Sequence, residues 1–172
     1  MQYNALTVMK KVWLERTRSD HHHGGPGWEL GTCLWSPSTD RGGSDRYRVM
    51  RDPQIGDAVI HLVDSVLIGQ SVVASPWRTI NEEPLTPGPW AGSGPYYRID
   101  LRDYKSFATP CQLSKLMRTF SEDIRNDIRV HAPARYPFFV SKSGVLFPVQ
   151  GAYLTSCSPV LVELIHRGTV SG

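Results

Sequence analysis

The segment AVIHLVDSVLIGQSVVA, residues 58–74, decides the fold. Residues 58–62 alternate with the period of a strand, and residues 66–74 read as a second strand. The pair Asp64-Ser65 between them is a tight connection, so the whole predicts a β-hairpin. Upstream, Leu6 to Glu15 carry Val8, Val12 and Trp13 in weak alternation and predict a strand. Thr32 to Ser36 predict a short buried strand ended by Pro37. Asp45 to Arg51 have helical composition, and Pro53 stops them. Downstream, Tyr96 to Leu101 predict another strand, and Pro110 to Asn126 predict one amphipathic helix with Leu113, Leu116, Met117, Phe120 and Ile124 on its apolar face. Tyr136 to Val149 read as a hairpin turning at Ser143-Gly144, and Ser158 to His166 as a closing helix with Pro159 in its first turn. Strands come first and helices are inserted between them, without a repeated βαβ rhythm. The expected class is α+β, a curved β-sheet or small β-barrel with helices packed around it.

The chain has 172 residues, the length of one domain that buries a core without metal or disulfide staples. Hydrophobic residues make up 40% and charged residues 20%, which excludes a disordered chain. No run of about 18 apolar residues predicts a membrane span. Met1 to Lys10 lack the apolar stretch and cleavage site of a signal peptide. Three cysteines, Cys33, Cys111 and Cys157, form no C-x-x-C pair, so a zinc ribbon is not expected and a reducing, cytoplasmic setting is. The net charge of +3 permits phosphate contacts without demanding them.

Chemistry concentrates in two loops. Asp20-His21-His22-His23-Gly24-Gly25-Pro26-Gly27 lets backbone approach a ligand closely. Adjacent histidines rarely all point at one ion, and no H-E-x-x-H spacing occurs, so no metal is expected; one of the three is expected at a phosphate or base edge. Residues 76–95 hold five of the thirteen prolines in a long irregular loop that also carries Trp77 and Trp90. With Trp35 at a strand end, two or three indoles would make a slot for a flat ligand, and base–aromatic stacking contributes about 1–3 kcal/mol per base. The plainer alternative is that each tryptophan is core. Arg16, Arg18, Arg41, Arg46 and Arg48 fall near this slot in sequence and are expected at the nucleic-acid backbone. The turn 40–44, flanked by arginines, is a candidate for prising strands apart. His61 and Asp64 flank the hairpin turn as a possible acid–base pair, but no nucleophile motif, P-loop or G-x-G-x-x-G accompanies them.

The stretch Leu34-Trp35-Ser36-Pro37, then Asp45-Arg46-Tyr47-Arg48-Val49-Met50, then Gly56-Asp57 and the hairpin through Ile68-Gly69, resembles the YTH and EVE domains of the PUA-like superfamily. The resemblance covers residues 7 to 105, and beyond them only the order of elements. It implies an aromatic cage that holds an unpaired or flipped-out modified base, as YTH domains hold N6-methyladenine in RNA and EVE-like domains serve modification-dependent restriction systems. Carried onto this chain, Trp35 becomes the first cage wall and Ser36 faces the base edge, with Trp90 or Trp77 as second wall. Asp20 offers a side chain to the base edge; His22, Tyr47 and Asp64 complete the expected base-binding set. The His-rich and proline-rich loops depart from the family pattern.

The leading expectation is therefore a non-catalytic, cytoplasmic, prokaryotic domain spanning residues 1–172. It would read a methylated base in double-stranded DNA without cofactor or metal, as the targeting module of a larger restriction or defence protein. A nuclease or NTPase effector is its expected partner. Two alternatives stand beside it: a reader of N6-methyladenine-type marks in RNA, and a small nucleotide-processing enzyme using His61 and Asp64.

Overall fold

The computed structural model describes residues 10–21, 23–132, 136–137, 139–148 and 152–170. Its centre is the expected hairpin: β3 (Ala58–Val63) pairs antiparallel with β4 (Val66–Val73). Asp64 and Ser65 both take positive φ, 47° and 65°, the backbone that a two-residue turn needs to match strand twist. β1 (Val12–Thr17) lies parallel to β3, with Trp13 opposite Val59 and Leu14 opposite Ile60. β9 (Leu154–Ser156) covers the other side of β1. β6 (Tyr96–Gln112) runs for 17 residues: its first part pairs with β2 (Cys33–Pro37) and β5 (Arg78–Ile80), its second with β4. The resulting order is β2-β6-β4-β3-β1-β9, with β5 on the side of β6, and a separate hairpin joins β7 (Phe139–Lys142) to β8 (Val145–Pro148).

The sheet is mixed and curled into a half-barrel, with three helices packed around it. Its curl has local causes. Register shifts at His61/Leu62, Leu67/Gly69 and Gln70/Val72 add twist where β3, β4 and β6 cross. Gly69 permits the closest approach: a Cβ there would sit 2.5 Å from the Lys105 carbonyl oxygen and 2.9 Å from the Tyr104 hydroxyl.

Strand alternation then sends alternate side chains into two cores. Leu14, Ile60, Leu62 and Leu67 pack under α1 (Leu113–Thr119), α2 (Ser121–His131) and α3 (Pro159–Val170), meeting Leu116, Ile124, Leu161 and Ile165. Trp13, Val59 and Val73 face inward, against Leu34, Met50, Ile99 and Leu101. Helix α3 begins where expected: Pro159 needs no N–H in the first turn, and Ser158 Oγ caps the Leu161 N–H at 3.0 Å.

Elsewhere the structure corrects the sequence reading. The single helix expected over 110–126 starts only at Leu113 and breaks at Phe120 (φ −119°, ψ 29°). The break lets both halves turn Leu116, Phe120 and Ile124 onto one core. Pro110 is strand, not a helix start; it lies between Ser106 and Cys111, where β6 makes no pairing with β4 that a missing N–H would spoil. The helix expected at 45–51 shrinks to one 3₁₀ turn, Arg48–Arg51. The 76–95 loop contains β5 and a 3₁₀ turn, Gly88–Trp90. The N-terminal strand is displaced to Val12–Thr17, and residues 1–9 lie outside the described residues. Strand β9 has no counterpart in the sequence reading.

Gly69→Ala is expected to destabilise the fold by about 1–3 kcal/mol, because the new methyl group meets backbone that cannot rotate away. Urea denaturation measures it; an unchanged midpoint would mean that β4 and β6 are not held this close.

Candidate nucleic-acid interface

A chain of aromatic rings leads from the core to the surface. Trp35, on β2, is buried at 5% exposure, edge-on to Trp28 (5.5 Å between centroids), Tyr96 (5.8 Å) and Trp90 (4.9 Å). Trp90, half-buried on its 3₁₀ turn, then meets Tyr47 at 5.7 Å and Tyr153 at 5.5 Å. The turn is pinned by the Tyr96 hydroxyl, which donates to the Trp90 carbonyl at 2.8 Å, and by the Gly92 N–H, which donates to Glu83 at 2.6 Å.

Tyr153 is fixed from behind. Its hydroxyl donates to Glu15 Oε1 at 2.8 Å and accepts the Trp35 N–H at 3.1 Å, while its carbonyl accepts the Arg16 N–H at 2.7 Å. Burial, and then the Glu15 charge, push this phenol well above its ordinary pKa, so it stays a donor. Glu15 Oε2 lies 2.6 Å from His61 Nδ1, and His61 Nε2 lies 2.8 Å from Ser71 Oγ. Glu15, His61 and Ser71 are all buried.

Two adjoining clefts open on this aromatic wall. The smaller, of about 590 Å³, is lined by Tyr47, Trp90 and Tyr153 with Arg16, Arg18, Arg46 and Asp64. Asp64 is exposed; hydrogen bonds from Ser19 hold its carboxyl below the usual range. The larger, of about 890 Å³, shares Arg46, Tyr47 and Tyr153 and adds Lys11, Arg48, Arg51 and His131. The arrangement offers flat apolar faces bordered by cations, which suits an unpaired base with its phosphates.

The structure brings together Trp90, Tyr47, Asp64, Arg16, Arg18 and Arg46 from the expected set, and puts Arg48 next door. Trp35 stands behind Trp90 and lines neither cleft. Ser36 is fully buried, its hydroxyl donating to the Pro37 carbonyl. Trp77 lies apart from the cluster, edge-on to Tyr97 at 5.7 Å with the Arg51 guanidinium over its ring. Asp20 is exposed and paired with Arg18 at 2.9 Å. Arg41 sits on the exposed turn that Asp40 braces and lines neither cleft. His22 lies outside the described residues. The acid–base pair of His61 and Asp64 does not form: His61 is sealed between Glu15 and Ser71, and Asp64 faces outward from the turn. Among the described residues no group of His, Cys, Asp or Glu is placed to hold a metal, and no helix is long and apolar enough to cross a membrane.

Tyr153, Glu15 and Trp28 went unnoticed in the sequence reading. A signal for Glu15 existed: it shares strand parity with Trp13, and a carboxylate on an inward position needs a partner.

No known family model matches the chain, and no curated protein does. Solved structures do. The N-terminal domain of Staphylothermus marinus McrB aligns over 91% of this chain and 93% of its own, with 15% identity and a TM-score of 0.53. Human THYN1, solved in complex with DNA containing 5-methylcytosine, aligns over 92% and 96%, with 8% identity and a TM-score of 0.54. Protein Atu2648 from Agrobacterium tumefaciens aligns over 92% of each chain, with 13% identity and a TM-score of 0.50. At these identities the likeness is one of fold. The chain shares their PUA-like fold, a curled mixed sheet with helices packed around it.

Tyr153→Phe leaves Glu15 and the Trp35 N–H each short of a partner, at an expected cost of about 1–3 kcal/mol. A denaturation midpoint equal to that of the parent chain would show that this hydroxyl ties nothing.

Proposed function

We propose that this chain is a non-catalytic nucleic-acid-binding domain that takes a methylated base into the aromatic site built on Trp35, Tyr47, Trp90 and Tyr153. The observation that carries this reading is the Tyr47–Trp90–Tyr153 wall inside a cleft edged by Arg16, Arg18 and Arg46. The likeness to THYN1, solved with 5-methylcytosine DNA, supports DNA as the ligand. The likeness to an N-terminal domain of McrB supports a targeting module in a larger protein. In that setting, modification-dependent restriction, a nuclease or NTPase effector would act on what this domain finds.

The geometry sets conditions on the event. Trp35 and Trp90 are nearly perpendicular, 86° apart, with centroids at 4.9 Å. A base stacks on Trp35 only after the Trp90 indole turns aside, whereas Trp90 itself lines the smaller cleft. A duplex must first release the base, at a cost of a few kcal/mol. The bordering arginines hold the distorted backbone, and Asp64 is the carboxylate that the smaller cleft offers to a base edge, while Asp20 stands outside the cleft, paired with Arg18. Packing one extra methyl is worth about 0.8 kcal/mol, close to a fourfold preference. A larger preference requires hydrogen bonds that match one base edge only.

The test is fluorescence anisotropy with short oligonucleotides carrying 5-methylcytosine, N6-methyladenine or no mark, as duplex DNA, single-stranded DNA and RNA. Tighter binding of one methylated DNA is expected, with Trp90→Ala weakening it by roughly 5- to 150-fold, the worth of one stacked base. Trp35→Ala is expected to weaken it as well. Equal binding of marked and unmarked strands would overturn the reading, and a preference confined to RNA would move it to that polymer.

A further inference from the structure

The two clefts together are far more basic than the chain that carries them. Their walls hold six cations, Lys11, Arg16, Arg18, Arg46, Arg48 and Arg51, against two carboxylates, Asp52 and Asp64. The whole chain has 19 Lys and Arg against 16 Asp and Glu, so the excess positive charge is gathered here. A cleft lined by one sign of charge concentrates its counter-ion.

The larger cleft is also a built one. Arg46, Tyr47 and Tyr153 form a ridge common to both clefts. Beyond the ridge, the buried Asp127 accepts the Tyr136 hydroxyl at 2.6 Å and the Ser158 hydroxyl, and lies 3.2 Å from His131 Nδ1. Tyr136, Ser158 and His131 all line the larger cleft; the Asp127 carboxylate fixes the first two, and its backbone carbonyl, 2.9 Å from His131 Nδ1, fixes the third. Arg51 is already engaged with Asp45. Lys11 and Arg48 are exposed and make no ion pair among the described residues.

We propose that the larger cleft seats the phosphodiester and sugar next to the bound base, so that the nucleic acid crosses the Arg46–Tyr47–Tyr153 ridge with one nucleotide on each side. This rests on the nucleic-acid reading of the smaller cleft. Lys11 and Arg48 are the phosphate contacts; His131 is the polar contact to the sugar side. Phosphate contacts carry no sequence information, whereas they set the salt dependence of binding. The two clefts therefore separate by measurement: one governs methyl preference, the other the salt slope.

The test uses the full chain, with single-stranded DNA carrying one 5-methylcytosine and its unmarked counterpart, over a series of salt concentrations. In the double variant Lys11→Gln, Arg48→Gln the log–log salt slope is expected to fall by roughly 0.7 for each phosphate that is no longer neutralised. Affinity for marked and unmarked strands falls by the same factor. Trp90→Ala is expected to do the opposite, keeping the slope and losing the preference. Strands with the mark at the 5′ or the 3′ end are expected to differ, because only one provides a neighbour on the larger-cleft side. A parental slope in the double variant overturns the proposal, as do equal affinities for the two end-marked strands. If the parent shows no methyl preference while the double variant still flattens the slope, the methyl reading falls and this subsite stands. Absence of any nucleic-acid binding removes both.

Discussion

Glu15 carries the arrangement of this molecule. A carboxylate on β1, facing inward and 4% exposed, costs several kcal/mol to desolvate unless hydrogen bonds and a counter-charge offset it. Here one oxygen takes His61 on β3 and the other takes the hydroxyl of Tyr153, next to β9. Tyr153 in turn accepts the backbone N–H of Trp35 on β2, so the two edges of the sheet are tied to one another. Removing either partner leaves charge or dipole stranded in low dielectric, so the four positions hold as a unit. The same tie presents the Tyr153 ring to both clefts.

The aromatic cluster is stable for a separate reason. Trp28, Trp35 and Tyr96 fill the space between β2 and the loop beneath it, and Arg98 stacks on Trp28 at 4.5 Å. Trp90 rests on this base without being buried by it. A rigid floor with one partly exposed ring on top suits a stacking site, since the ligand meets surface already ordered and loses less entropy on binding.

What was legible in the sequence is what local pattern controls. The 58–74 hairpin, the Ser143-Gly144 turn and the start of α3 each follow from a two-residue period or one turn residue. The length of β6 was not legible, because its second half is exposed on both sides of most residues and is held by pairing with β4, not by its own alternation. The helix over 113–131 has helical spacing throughout, so the break at Phe120 is a tertiary effect. For the site, Tyr47, Trp90, Asp64 and three arginines were legible by residue type and by resemblance. Trp77 and Trp90 sit in one loop with the same residue type, and only the path of that loop separates them. Tyr153 was invisible because its role depends on Glu15, 138 residues away.

That separation has a consequence in time. The walls of the smaller cleft are drawn from positions 16, 47, 90 and 153. Strand β1 needs both β3 and β9 for its two neighbours, so it is completed only after a strand about 140 residues further on has been made. On a ribosome, where chains emerge N-terminus first at about 5–20 residues per second, no nascent piece that stops before position 153 has the cleft. Contacts this distant also slow folding, since loops must close before they are rewarded. The cleft is therefore completed in one step, late, when position 153 joins the sheet.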